Sequence, residues 1–305
     1  MSHSFRLKET ALAPASVSGE YPSSPNLQPL DGTHRNEVLA FLTSCSIETL
    51  LMRGLICDNG MESGYNRGTF YGCRDHEGRL TGVALIGHAT LVEAHSESVL
   101  AAFARLAKAA HAHVIIGHQE KVESFWTHYE AGGQEPRRIC RELFMEQREP
   151  IETLTEATPL RLATLDDLEK LITINAGMAC AESGINPLEV DPEGFRERVV
   201  RRVEMKRIYV WSEGERLIFK ADIMAEVPGI TYLEGVYVHP QERGKGYGAR
   251  AMAQLGRQLL ARTEALCLLV NEQNKDAQLF FFKAGYKLRA CYDTIFLQPR
   301  ADETH

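Results

Sequence analysis

The sequence has 305 residues, of which 44% are apolar and 25% are charged, as is usual for soluble globular proteins. Its formal net charge of −7 argues against nucleic acid as a partner and is compatible with a cationic substrate. No run approaches the ~20 consecutive apolar residues of a membrane helix, and the first residues lack the apolar core of a secretory signal, so we expect a cytoplasmic protein without a membrane partner.

The seven cysteines are scattered and odd in number, and no two of them form a Cys-x-x-Cys pair. We therefore expect reduced thiols, most of them in the core, rather than a disulfide framework or a zinc site. His111, His113 and His118 have no accompanying carboxylate or cysteine pattern. No metal is predicted.

The first 30 residues are rich in Ser, Pro and Ala and predict a flexible N-terminal arm. Apolar residues at helical spacing then run from Thr33 to about Cys57, before a hairpin of two strands, Gly68–Arg74 and Arg79–Gly87. The elements predicted next are a strand Thr90–Ala94, a helix Glu97–Ala110, a strand Val114–Gly117, a helix Lys121–Tyr129 and a strand Glu142–Gln147.

A polar segment with two prolines, Arg148–Pro159, predicts a linker, after which the order of elements recurs. Thr164 and Asp167 form a capping-box-like helix start. The later elements predicted are a helix Phe195–Met205, strands Arg207–Ser212, Arg216–Ala225 and Thr231–His239, a helix from Gly246 to about Ala261, a strand Ala265–Val270, a helix Lys275–Ala284 and a strand Lys287–Leu297. We predict an α+β protein of two domains, 31–150 and 151–305, each a mixed, mostly antiparallel sheet flanked by helices.

The strongest functional signal lies between the strand that ends at Pro240 and the helix that begins near Gly246. This loop contains three glycines and two cations: Gly244, Gly246, Gly248, Arg243 and Lys245. The glycines allow the backbone to turn sharply and to approach a ligand closely. The unpaired N–H groups and the positive dipole end of the helix face the same spot. This combination predicts a pyrophosphate-binding loop.

Other phosphate-binding loops fit less well. A Walker loop needs Gly-Lys followed by Ser or Thr, and here Lys245 is followed by Gly246, which argues against a nucleoside triphosphate. Gly244-x-Gly246-x-x-Ala249 satisfies the minimal dinucleotide fingerprint. A Rossmann domain places that loop after its first parallel strand, whereas an antiparallel meander is predicted here, so an NAD-linked oxidoreductase is a weaker alternative.

The run from Val236 to Gly248 resembles the acetyl-CoA motif of the GNAT superfamily of N-acetyltransferases, whose Arg/Gln-x-x-Gly-x-Gly/Ala falls on Arg243, Gly246 and Gly248. A second GNAT segment, Asn-x-x-Ala-x-x-Leu-Tyr-x-x-x-Gly-Phe, falls on Asn274, Ala277, Phe280, Phe281, Gly285 and Tyr286. The resemblance covers roughly residues 158–300. It implies an acetyl-CoA-dependent N-acetyltransferase in which an amine attacks directly within a ternary complex. The first half resembles the family only in element order, as in two-domain bacterial GNAT proteins whose first domain is degenerate.

The resemblance also implies roles for residues. The strand before the loop would splay from the next strand and leave backbone groups of Val236, Tyr237 and Val238 for the pantetheine arm, with the N–H of Val238 stabilising the developing oxyanion. Asn271 and Asn274 would contact the pantetheine or the leaving thiol. The pyrophosphate would be held by backbone N–H groups of Arg243, Gly244, Lys245, Gly246, Tyr247 and Gly248.

The attacking amine must be neutral, whereas ordinary alkyl amines have a pKa near that of Lys, ~10.4, so the reaction needs a base. Glu234 is our candidate. It lies four residues before Val238 and, by the two-residue period of a strand, on the same face as Val236 and Val238. Several GNAT enzymes carry a glutamate base at this position. A glutamate that only orients a cationic substrate is the alternative.

Many GNAT relatives carry a tyrosine that protonates the leaving thiolate where this chain has Phe281, whose ring cannot donate a proton but could line the thiol pocket. Tyr286, Tyr237 or a water could supply the proton, or the thiolate could leave unassisted. The missing tyrosine also leaves open a catalytically weak acyl-CoA sensor that regulates a partner.

Three further interpretations concern the acceptor side. We interpret the basic run Arg196, Arg198, Arg201 and Arg202 as a solvated helix face that pairs with Glu193, Glu197 and Glu204. Because early helices of the GNAT fold cover the acceptor, Met178–Pro192 is predicted to form a specificity loop. The first half has no glycine-rich basic loop and is interpreted as a partner domain that buries a sheet edge or shapes the acceptor pocket. The acceptor, a small-molecule or peptide amine, is left open, and a homodimer is compatible with this interpretation.

Overall fold

One continuous sheet of twelve strands runs through the described part of the chain, residues 25–45, 47–151 and 158–299 of a computed structural model. The strands are β1 (Asn26–Pro29), β2 (Gly68–Arg74), β3 (Leu80–Gly87), β4 (Ala89–Ala94), β5 (Val114–His118), β6 (Pro136–Gln147), β7 (Arg161–Leu162), β8 (Ile208–Glu213), β9 (Arg216–Val227), β10 (Ile230–Val238), β11 (Ala265–Asn271) and β12 (Lys287–Leu297). The helices are α1 (Arg35–Ser44), α2 (Leu50–Asn59), α3 (Glu97–Ala107), α4 (Gln119–Tyr129), α5 (Leu168–Ser183), α6 (Pro187–Val190), α7 (Pro192–Glu204), α8 (Tyr247–Leu260) and α9 (Lys275–Lys283).

The two halves of the chain exchange their last strands. The order across the sheet is β1-β2-β3-β4-β5-β12-β6-β11-β10-β9-β8-β7. Strand β12, from the second half, lies between β5 and β6, while β6, from the first half, pairs with β11 from Leu266↔Gln147 to Asn271↔Glu142. Each half therefore completes the sheet of the other, and side chains of β6 become part of the second half.

Helices cover both faces of the second half. On one face, α8 and α9 bury Leu255, Leu259 and Phe281 against β9, β10 and β11. On the other face, α5 and α7 pack on β7–β9, and α2 of the first half packs on β9. A side-chain carbon at Gly54 of α2 would lie 2.3 Å from that of Ala225, so only glycine allows this approach. The halves are thus joined by helix packing as well as by strand exchange.

The structure confirms the predicted α+β class and the predicted order of helices and strands. Thr164 and Asp167 form the expected capping box, in which the Thr164 N–H donates to the Asp167 carboxylate at 2.9 Å. The prediction of a flexible arm is wrong for its last residues, because Asn26–Pro29 forms β1 and pairs with β2. Residues 1–24 of that arm and residues 152–157 of the predicted linker lie outside the described residues, and the domain boundary stays a prediction. Within the described ranges, no helix has the length and apolar character needed to cross a membrane.

The basic side chains of α7 pair with its N-cap residue, Asp191, and with residues of other elements. The ion pairs are Arg196–Glu169, Arg198–Asp191 and Arg202–Asp222. Arg201 reaches the first half, where it donates to the Asn59 side chain at 2.7 Å and lies over the ring of Tyr65. The predicted pairing with glutamates of the same helix is therefore wrong, because α7 packs between protein surfaces that offer these acceptors.

Candidate active site

A gap opens between the parallel strands β10 and β11. They pair only from Ile230↔Ala265 to Leu233↔Leu268 and then diverge. His239 N–H donates to Ile218 O of β9 at 2.8 Å. Because the direction of N–H groups alternates along a strand, the Val238 N–H points the other way, into the gap. The splay implied by the family resemblance is confirmed.

A β-bulge shapes the end of β10. The register shifts between Glu234, opposite Asp222, and Tyr237, opposite Lys220, and Gly235 between them has a φ of 59°. The ammonium of Lys220 is fully buried, donates to Gly235 O at 2.9 Å and pairs with Asp222 at 2.9 Å. This buried ion pair donates a hydrogen bond to the bulge carbonyl and so fixes the backbone where the gap begins.

The bulge reverses the alternation of side chains along β10. Val236 and Val238 pack against the core under α8, whereas Tyr237 packs on the opposite face, with α5 and α7. Glu234 lies opposite Asp222, on the face of Tyr237. The prediction that Glu234 shares a face with the two valines is therefore wrong. Tyr237 is half-buried, its N–H lies on the side of β9, and burial raises its pKa.

The glycine loop leaves open space in front of its backbone. Gly244 and Gly246 have φ values of 75° and 84°, and a side-chain carbon at either would meet no protein atom within 4 Å. Gly248 differs: such a carbon would lie 2.8 Å from Val238 and 3.1 Å from the Phe280 ring, so this glycine lets α8 pack closely on β10. The loop therefore presents bare backbone at the end of the gap.

Helix α8 begins at this loop without a side-chain cap. Gly246 is its N-cap residue and supplies no side chain for the first N–H groups. Arg243 is exposed, and its Nε donates to Val238 O at 3.2 Å, while its N–H makes a long 3.4 Å bond to Pro240 O. Lys245 is 57% exposed and pairs with Glu242. Open amides, a helix dipole and two cations fit a diphosphate.

The side chains predicted to serve the thiol lie at different depths. Phe281 is 6% exposed within the core, and Tyr286, 1% exposed, packs against it. Burial raises the pKa of Tyr286 far above its usual range, which makes it a poor proton donor. Asn274 caps α9 by accepting from Ala277 N–H at 3.1 Å. Asn271 ends β11 beside the gap. The predicted cofactor contacts of these residues stay predictions.

Carboxylates converge on the other side of the gap, and of these only Glu234 could be proposed from the sequence. Glu234 is accessible to solvent yet closely surrounded by protein, which describes a side chain in a recess. That enclosure raises its pKa; Arg202 and Lys220 oppose the rise, and Asp222 adds to it. Glu182 is likewise exposed to solvent but closely surrounded by protein, and this enclosure, with Glu234 and Glu142, raises its pKa to about 8. The recess is therefore strongly acidic.

This acidic recess does not have the geometry of a metal centre. In the described ranges, no group of three or more His, Cys, Asp or Glu side chains could hold a metal ion. One of the histidines weighed as a metal ligand, His113, stacks on His88 with ring centroids 4.9 Å apart.

The corresponding gap of the first half is filled by its own side chains. Strands β4 and β5 pair only at Ala89↔Val114 and Thr90↔Ile115, so they also diverge. Glu93, 3% exposed, points into this gap and pairs with Lys121, leaving a cavity of about 10 Å³. At the start of α3, Glu97 puts a carboxylate where α8 has open glycines. These features argue against phosphate binding in the first half.

With one glycine loop rather than two, the family resemblance predicts that one molecule of coenzyme A binds per chain. Isothermal titration calorimetry measures this stoichiometry, and Lys121→Met should leave the affinity within about twofold, since Lys121 lies far from the glycine loop along the sheet. Two equivalent sites, or a lost site in Lys121→Met, would contradict the assignment.

Comparisons with known proteins agree with this geometry. Residues 217–295, which include β10, the glycine loop, α8 and β11, match the family model described as FR47-like protein. No curated protein matched the chain. Among solved structures, a GNAT-family acetyltransferase from Colwellia psychrerythraea is 11% identical with a TM-score of 0.59, over 90% of this chain and 100% of that one. A Drosophila protein is 13% identical with a TM-score of 0.66, over 90% and 98%. A tandem GNAT protein from the clavulanic acid biosynthesis pathway is 12% identical with a TM-score of 0.54, over 90% and 99%.

This chain has a two-domain GNAT fold. The glycine loop of that fold follows an antiparallel meander, β8–β10, and not the first strand of a parallel sheet. The dinucleotide-binding alternative is excluded by this topology, because a Rossmann domain needs the loop after its first parallel strand.

Proposed function

We propose that this protein is an N-acetyltransferase that uses acetyl-CoA and acetylates an amine by direct attack in a ternary complex. The observation that carries the proposal is the joining of two surfaces at one gap. On one side lies the bare backbone of Gly244 and Gly246 at the start of α8, which suits a diphosphate. On the other lies the acidic recess with Glu234, which suits a cationic amine.

Residues at the gap support a division of labour. The carboxylate of Glu234, with its raised pKa, accepts a proton from the ammonium, directly or through a water. The freed nitrogen forms a bond to the acetyl carbon as the bond from that carbon to sulfur breaks, and the second proton that this nitrogen loses passes to the departing thiolate or to solvent. The N–H of Val238 donates to the carbonyl oxygen as it gains charge, and Lys220 holds the adjoining bulge in place.

The leaving thiolate needs no partner tyrosine in this proposal. A thiol of ordinary pKa, ~8.5, leaves readily near neutral pH. Phe281 and Tyr286 are buried in the core and are not assigned as acids.

A thiol-release assay with acetyl-CoA and a panel of amines tests the proposed activity. Turnover that requires both acetyl-CoA and an amine, with formation of the acetamide, is the expected result. Binding of acetyl-CoA without release of thiol across the panel would instead indicate a sensor. A thermal shift with NAD(P) but not with acetyl-CoA would contradict both.

A further inference from the structure

The acidic recess contains more carboxyl groups than one amine needs. It is lined by three glutamates from three elements: Glu142 of β6, Glu182 at the end of α5 and Glu234 of β10. Strand register places Glu142 beside Asn271, on the far wall of the gap from Glu234. Arg138 joins the walls, because its guanidinium donates to the carbonyl oxygens of Ala181 and Glu182 at 3.0 and 2.7 Å.

Among the described residues, none of these three carboxylates forms an ion pair. In the described part of the chain, neither Glu182 nor Glu234 makes a side-chain hydrogen bond or ion pair, and Glu142 accepts only from the Thr294 hydroxyl. Nearby cations have other partners: Arg202 and Lys220 pair with Asp222, and Arg141 pairs with Asp293. Arg138 alone partly offsets Glu182, through its interaction with the end of α5.

The hydroxyl of a buried tyrosine also faces the recess without a protein partner in the described ranges. Tyr232 is 5% exposed. Burial is the main cause that raises the pKa of its phenol, and the charges of the three glutamates raise it further. Its hydroxyl forms no hydrogen bond to any described residue. A buried phenol without a partner is costly unless a ligand or water satisfies it. Tyr232 therefore points independently to a ligand that bonds at this spot.

An organic dication suits this recess better than a metal ion does. The three glutamates are not close enough to hold a metal together. They can surround a flexible molecule whose charges are spread along a chain, because each ammonium needs only one or two carboxylate partners.

We propose that the acceptor is a diamine or polyamine, whose reacting nitrogen lies at Glu234 while a second, charged nitrogen is held by Glu142, Glu182 and the Tyr232 hydroxyl. This inference rests on the proposed function and specifies its substrate class. It also gives the strand exchange a role, because Glu142 reaches the recess only through β6 of the first half.

Matched acceptors test the inference. Each linear monoamine, from propylamine to hexylamine, is compared with the α,ω-diamine of the same length by kcat/KM in the thiol-release assay. The best diamine is expected to exceed its matched monoamine by at least about tenfold, as for a close charge pair in a partly enclosed site. Equal values for the pairs would overturn the inference and leave the transferase proposal intact.

Glu182→Gln provides the matched variant. The substitution removes a carboxylate that would hold the second ammonium, so the diamine-to-monoamine ratio of kcat/KM should fall about tenfold or more. Thermal stability should be kept, because the Glu182 carboxylate makes no contact that the fold needs. Glu213→Gln removes an exposed carboxylate at the end of β8 and should leave the ratio unchanged. A ratio that is unaffected by Glu182→Gln would contradict the role of Glu182.

Binding calorimetry separates the two proposals if no amine is acetylated. With a Glu182 pKa of about 8, binding of a diamine at neutral pH should displace a proton, seen as an enthalpy that depends on the buffer. Glu182→Gln should reduce this release. Diamine binding that releases a proton but leads to no turnover would refute the proposed acetyltransferase activity and support the diamine as ligand. Absence of diamine binding would refute the proposed ligand class.

Discussion

Replacing Gly246 with leucine is expected to abolish coenzyme A binding while the fold persists. A side chain at Gly246 would meet no protein atom within 4 Å, so it would occupy only the space in front of the uncapped α8. Loss of two charge-assisted hydrogen bonds of ~1.5 kcal/mol each corresponds to about 100-fold weaker binding. Titration calorimetry with coenzyme A measures this loss.

Gly214→Leu is the control for backbone strain. Gly214 has a φ of 58° and equally open surroundings, but it lies in the turn between β8 and β9. Both variants place a non-glycine residue in a left-handed backbone conformation, which costs ~1–2 kcal/mol, so their unfolding temperatures should fall by similar amounts. Only Gly246→Leu should lose coenzyme A. An unchanged affinity in that variant would remove the pyrophosphate assignment.

The features that the sequence predicts correctly are those set by local chemistry. The hairpin β2–β3 follows from two runs of strand-forming residues around Asp75–Gly78, and the start of α5 follows from the Thr164–Asp167 box. The glycine loop is local too, since glycine spacing and the following helix specify it together. These signals need no knowledge of distant partners.

The strand exchange depends on distant partners and has no local signal. Strand β6 has the same alternation of side chains whether it pairs within its own half or with β11, so the pattern fits either sheet. The assembly of Glu142 with Glu182 and Glu234 depends on this exchange. A single glutamate could therefore be proposed from the sequence, whereas the recess could not.

The bulge had a signal in the sequence. A glycine inside a strand, Gly235, is a common mark of a bulge, and Lys220 and Asp222 are charged residues in an otherwise apolar strand. Together they indicate a buried ion pair at an irregular position. The two-residue period assigned Glu234 to the wrong face because it assumes a regular strand.

Replacing Glu234 with glutamine is expected to lower turnover by about 100-fold or more, the usual contribution of a general base. Glutamine preserves the size of the side chain and removes only its capacity to accept a proton. The pH profile of kcat/KM shows in which direction the rate depends on the ionisation of Glu234. Because a carboxylate accepts a proton only when ionised, the wild-type rate should fall as pH drops through the raised pKa of Glu234, above the usual 4.5. This acidic limb should be missing in Glu234→Gln.

An acceptor whose amine is already neutral distinguishes a base from a group that orients the substrate. An aromatic diamine has a low amine pKa and gives up no proton before attack, so wild type and Glu234→Gln should differ far less with it than with an aliphatic diamine. An orienting carboxylate predicts another pattern, in which KM rises with kcat unchanged and the acidic limb is kept. That second pattern would refute proton transfer to Glu234, and the recess would then act by binding alone.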